Sequence, residues 1–125
     1  MSPTTKKETI RLMETFHTLF YTPIYVAVSV GFFEREGLDI QFSTCPPGYN
    51  GLTALQQGLA DIVQTGPMRS IIAADSRTEL VPVNFIEINS RDGFFLVGRS
   101  RQRTFDWATL KDASLIPVGF SPMPR

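Results

Sequence analysis

Two short loops carry most of the polar chemistry of this sequence. Gly48-Tyr49-Asn50-Gly51 offers backbone amides, a side-chain amide and a ring that can stack; Thr65-Gly66-Pro67-Met68-Arg69 offers a hydroxyl, amides and a guanidinium. Each precedes an apolar run at helical spacing and therefore opens onto a helix amino terminus, where unpaired N–H groups and the helix dipole favour anionic or polar molecules. Every helix start has such amides, so only the convergence of the two loops would make a site. A third loop, residues 14–21, carries Phe16, His17 and Tyr21, which fit a ligand wall or ordinary packing equally. A fourth, residues 87–91, carries Asn89.

Other candidates are weaker. Cys45 has no histidine after it and no third group to orient a base, so it reads as a loop thiol without function. Arginines 99, 101 and 103 stand near Asp106 and Asp112 and read as a solvated loop, and Trp107 reads as packing. One cysteine excludes an internal disulfide; with one histidine it leaves no zinc cluster of the usual four nitrogen or sulfur ligands. No phosphate loop, dinucleotide fingerprint or serine nucleophile elbow is present, and no cofactor is implied.

Twelve Lys and Arg balance twelve Asp and Glu, so no global field draws in nucleic acid or an anionic membrane. A chain of 125 residues with 42% hydrophobic content is about one domain with enough apolar material for a core. The start has Lys6 and Lys7 but then Glu8, without the apolar run of roughly 7–15 residues that an export signal needs. No stretch approaches the roughly 20 apolar residues that span a bilayer. The expectation is a soluble chain, cytoplasmic or written without its leader.

The elements that must position these loops are legible from period and punctuation. Residues 9–13 alternate as a first strand, with Ile10 and Leu12 on one face. Thr22 can cap a helix with Pro23 at its first position, and the apolar run through Val30 predicts a core helix covered on most sides. Gly31 breaks it, residues 32–36 make another turn, and Gly37 suits a left-handed cap before Leu38, Ile40 and Phe42 alternate as a strand. Pro46, Pro47 and Gly48 keep residues 43–50 irregular, and Asn50 can cap a helix with Leu52, Leu55 and Leu59 on one side. Residues 61–65 form a short strand, and residues 67–75 a helix with Met68, Ile71 and Ile72 inward. A strand over 80–88, an Asp92-Gly93 hairpin into residues 94–97, a capped turn over 104–110 and a strand over 115–120 complete the prediction. Strand and helix alternate, so the fold class is α/β with an open, mostly parallel sheet flanked by helices. The last strand has only loop before it, so the chain is expected to be part of a larger fold.

The run from Tyr21 through Ala27, then G-F-F-E-R-E-G-L-D-I at residues 31–40 and L-Q-Q-G-L-A-D-I at residues 55–62, closely resembles the NMT1/THI5-like family, which includes sulfonate-binding and related substrate-binding proteins of ABC importers. Residues 104–119 resemble the family's T-x-x-D-L-K-G-x-x-V-G segment, with Lys111-Asp112-Ala113 in place of Lys-Gly. The resemblance implies a type II periplasmic-binding-protein fold, of which residues 1–125 would be most of the first of two lobes that close on a small ligand. Carried over by position, the ligand-binding residues would be Phe16, His17, Tyr21, Tyr49, Asn50, Thr65, Pro67, Met68, Arg69, Asn89 and Ser121. A small organic ligand (sulfonate, carboxylate or pyrimidine-like) and an ABC permease are the implied partners, with no nucleic acid and no membrane insertion. A periplasmic or extracellular site is implied too. The alternatives on the same fold are a THI5-like pyrimidine-precursor synthase, which uses a histidine in the first ligand loop and a cysteine-rich motif, and the effector module of a transcription regulator. Tyr21 stands just before Thr-Pro and Cys45 stands alone, so the synthase pattern is incomplete; no DNA-binding segment is visible.

Overall fold

The alternation that begins near Thr9 runs on to Glu14, and in the computed structural model, which describes residues 7–91, 95–101 and 104–117, it forms β1 (Glu8–Glu14). β1 is the middle strand of a three-stranded, all-parallel sheet, with β2 (Leu38–Thr44) on one side and β3 (Ile62–Gln64) on the other. Between β1 and β2 lie α1 (Thr22–Ser29) and α2 (Phe32–Arg35); α3 (Gly51–Gln56) joins β2 to β3, and α4 (Met68–Asp75) follows β3. Parallel strands need such crossovers, and the helices bury the sheet's two faces.

Register decides what each face holds. Leu12 is level with Phe42 and Ile62, and Met13 with Ser43 and Val63. On the first face Tyr25 of α1 meets Phe42 edge-on, ring centroids 5.8 Å apart. On the second, Met13 packs with the buried Ala54 of α3, Ala60, Val63 and Cys45. The residues at this contact are small, which lets α3 lie close: a Cβ on Gly51 would come within 3.2 Å of a Val63 methyl. The start of β3 is clasped to β1. Arg11 donates from Nε and Nη2 to Asp61 (3.1 and 2.6 Å) and from Nη1 to the Gly58 carbonyl, while the backbone N–H groups of Arg11 and Asp61 complete the pair. These bonds hold the Asp61 carboxyl down at about 2.

Several expectations hold. Gly31 and Gly37 take left-handed φ values of +74° and +79°, and the Asn50 side chain caps α3 by accepting from the Thr53 amide (3.2 Å). Others are corrected. Thr22 is already helical, Tyr21 stands at the cap, and the Thr22 hydroxyl donates to the Leu19 carbonyl (2.7 Å). α1 is not enclosed: Ile24 is its one buried residue, because a helix lying on a sheet buries a single stripe whatever the rest of its composition. α3 and α4 turn Ala54, Ser70 and Ala73 inward, while Leu59, Ile71 and Ile72 stay exposed, since close approach to the neighbouring layer selects the small stripe. Residues 80–88 form no strand; an apolar pattern becomes a strand only with a ladder partner.

The chain divides into two compact units, Met1–Ser90 and Arg91–Arg125. In the second, the turn expected over 104–110 is a 3-10 turn at Trp107–Leu110, capped by Asp106, whose carboxylate accepts from the Ala108 amide (2.9 Å). Trp107 is exposed and touches Phe105 edge-on, rather than being packed in a core. Residues 115–117 are irregular. Asp92, Gly93, Phe94, Arg103, residues 118–120 and Ser121 lie outside the described residues.

Two stability measurements follow from this packing. Ala54→Leu should lower the urea midpoint by the equivalent of about 1–3 kcal/mol, the cost of overpacking a close contact; an unchanged midpoint would show that α3 has room to move away. Asp61 has a folded value below its ordinary one, so its contribution is present above about pH 4 and is lost as pH falls toward about 2. Asp61→Asn should therefore be less stable at neutral pH and decline less steeply over that window.

Candidate functional site

From β1 the chain moves outward to β2 and then crosses back to place β3 on the other side of β1. That reversal is a topological switch point, where the connections leave a crevice at the carboxyl ends of the first and third strands, as the 2-1-3 order does in other open sheets. The residues at this end are Glu14 of β1, Thr44 of β2 and Gln64 of β3, level with one another by register and hence on one face. The sheet therefore ends in a row of three polar side chains just beyond its apolar rows.

Glu14 is completely buried. Tyr25 Oη donates to one carboxylate oxygen; Thr44 Oγ1 (2.7 Å) and His17 Nδ1 (3.0 Å) reach the other. Burial pushes the Glu14 carboxyl up, but these three bonds and the neighbouring imidazole outweigh it and hold it below the usual range. It is a buried carboxylate that stays ionised. Tyr25 in turn accepts from the Thr18 amide (3.1 Å), and the His17 ring stacks on the Tyr25 ring with centroids 4.6 Å apart. The Glu14 carbonyl accepts from the Cys45 amide (2.8 Å), and Thr15 Oγ1 donates to the Gln64 carbonyl (3.1 Å). Gln64 Oε1 is buried and has no hydrogen-bond partner among the described residues.

The expected ligand loops meet here in part. Phe16 and the buried Tyr21 are in tilted ring contact (5.6 Å), and Asn89 Nδ2 donates to the Phe20 carbonyl (2.5 Å), which joins Asn89 to the first loop. Arg69 lies near enough to Tyr21 and Cys45 to favour their ionised forms, though burial raises both groups on balance, so Cys45 is not an activated thiol. Thr65, Met68 and Arg69 are half-buried, and Pro67 is exposed at the cap of α4. Tyr49 and Asn50 are engaged elsewhere: the Tyr49 hydroxyl donates to Gln57 (3.1 Å), and the Asn50 oxygen is occupied by its own helix. A shallow depression lined by Gln56, Thr78, Glu79 and Leu80 sits at the opposite, amino end of the strands.

Glu14, Tyr25, Thr44 and Gln64 were not among the expected site residues. A signal for Glu14 was present: continuing the alternation of Ile10 and Leu12 by one step puts a carboxylate on the covered face of a strand. Tyr25 and Thr44 carry no such mark, since their role depends on which strand stands beside which.

The family described as NMT1/THI5 like matches residues 20–94. The chain is also similar to "Putative binding protein YtlA" of Bacillus subtilis (strain 168), at 34% identity over 116 residues, covering 93% of this chain and 35% of that protein. It thus spans about a third of the length of the curated relative it matches. No solved structure gives a significant match.

The Glu14 network makes acid sensitivity measurable at one residue. Its folded value lies below the unfolded one, so its stabilising effect is complete above about pH 4.3 and disappears as pH falls through the depressed folded value. Glu14→Gln should be less stable at pH 7 by about 1.5–3 kcal/mol, the worth of a hydrogen bond to a charged group. Its stability should also fall less between pH 5 and 2; an acid limb parallel to the wild type would show that Glu14 is not ionised in the fold.

Proposed function

The chain belongs to the NMT1/THI5-like family, which has the type II periplasmic-binding-protein fold, and from that membership together with its polar switch-point edge we propose that it supplies one lobe of a solute-binding protein for a small organic molecule. The observation that carries this reading is the meeting of residues 14–21, 65–69 and 87–90 around the carboxyl ends of β1 and β3, where α/β sheets take ligands. The similar B. subtilis protein is named as a binding protein, in keeping with it. Residues 1–125 would form most of the first lobe, and the ligand would be held between this edge and a second lobe by cleft closure. Phe16, His17, Tyr21, Thr65, Met68, Arg69 and Asn89 would line it, with Tyr49, Asn50 and Pro67 at its margin. The proposed cargo is a sulfonate, a carboxylate or a pyrimidine-like heterocycle, handed to an ABC permease from the periplasmic or extracellular side. No helix among the described residues is long and apolar enough to cross a membrane.

An enzyme on the same fold is the second reading, and one observation favours it: His17 backed by the Glu14 carboxylate is the pairing by which a general base is oriented. Recovery of the ligand chemically unchanged after long incubation separates the two.

Titration calorimetry with methanesulfonate, benzoate and cytosine tests the main reading, on this chain and on a longer two-lobe version. One of the three should bind the two-lobe protein, and this chain alone should bind it at least roughly 100-fold more weakly, the equivalent of losing about 3 kcal/mol of contacts. Equal affinity for both would refute cleft closure, and no binding by either would remove the solute-binding assignment.

A further inference from the structure

The single histidine of the chain is held in a way that sets which of its nitrogens can meet a ligand. An ionised carboxylate only accepts hydrogen bonds, so the His17 nitrogen that faces Glu14 Oε1 at 3.0 Å must carry the proton. That nitrogen is Nδ1. In the neutral ring Nε2 is then a bare lone pair, and no group among the described residues bonds to it, while the His17 side chain is 75% exposed. The ring cannot swing away freely: it is stacked on Tyr25, whose hydroxyl is bonded to the same carboxylate and to the Thr18 amide. Gln64 Oε1, one strand over from Glu14 in register, is a second acceptor with no donor among the described residues.

We infer that Glu14 is a positioning residue which fixes His17 as the Nδ1–H tautomer, so that the switch-point edge presents hydrogen-bond acceptors and takes a ligand bearing N–H or O–H donors in preference to a sulfonate or carboxylate oxygen. This rests on the solute-binding reading and narrows it. Of the proposed cargoes, a neutral heterocycle with an amino or ring N–H group fits; an oxyanion facing Nε2 would set lone pair against lone pair, with the buried Glu14 charge behind it. Arg69, whose charge acts on Tyr21 and Cys45, would serve a different part of the ligand.

Because His17 is the only histidine, a long-range proton–nitrogen spectrum of the uniformly labelled chain reports its ring alone. Recorded at alkaline pH with the ring neutral, the wild type should show Nδ1 protonated and Nε2 unprotonated. Glu14→Gln should lose that preference and drift toward the Nε2–H form that free imidazole side chains favour. Wild-type protein with Nε2 protonated would overturn the inference while leaving solute binding standing, and this arm needs no variant to fold. Cytosine and methanesulfonate are then titrated into the labelled chain at millimolar concentration. Cytosine should move the Nε2 resonance and methanesulfonate should not. A larger response to methanesulfonate would overturn the donor preference. No response to either probe would overturn both the preference and the assignment of this edge to a ligand, whatever the tautomer.

Discussion

A carboxylate buried at the end of the central strand must be answered by hydrogen bonds or be neutralised, and the arrangement around Glu14 is how this chain answers it. Its partners come from three separate segments: Thr44 from β2, Tyr25 from α1 and His17 from the loop between β1 and α1. Thr44 is available only in the observed register, since it reaches Glu14 by standing level with it. One residue therefore ties the position of the loop after β1 to the correct pairing of β1 and β2. The same demand that makes the group costly to bury makes the loop well placed once it is buried.

The segments that mark the family serve mainly to build this sheet. Gly31 and Gly37 turn the chain out of α1 and into β2, and Asp39 of the same motif accepts from the Thr9 hydroxyl across the pair (3.2 Å). In the second motif Asp61 receives Arg11 of β1. The two aspartates of the motifs thus reach back to the central strand, one from each side. These contacts are exposed, and isolated exposed pairs contribute little to stability, so their use is better understood as setting register. Chemistry at the carboxyl ends is left to residues outside the motifs: Glu14, His17 and Gln64.

Local signals were readable wherever one residue's own conformational preference decides the outcome. The Asn50 cap, the left-handed glycines and the strand alternation of residues 38–42 all appear as the sequence suggests, because each depends on neighbours within a few positions. The α/β class and the parallel sheet also follow from the alternation of periods. What apolar content could not reveal is which stripe of a helix turns inward. α4 buries Ser70 and Ala73 and leaves Ile71 and Ile72 exposed, and α1 buries Ile24 alone, since the distance between layers, not hydrophobicity, chose the stripe.

Sequence by itself determined the order of elements as far as α4, their punctuation and the family, because these rest on short-range preferences and on motifs read in line. Only the tertiary structure decided that β3 stands beside β1 rather than beyond β2, and with that where the switch point falls. It brought Glu14, Thr44 and Gln64 into one row from positions far apart in the chain, and it turned a lone histidine in an aromatic loop into one whose free nitrogen has a defined character. Hydrogen-bond partners of a buried charge are chosen by register and proximity in space, and neither is written in local spacing.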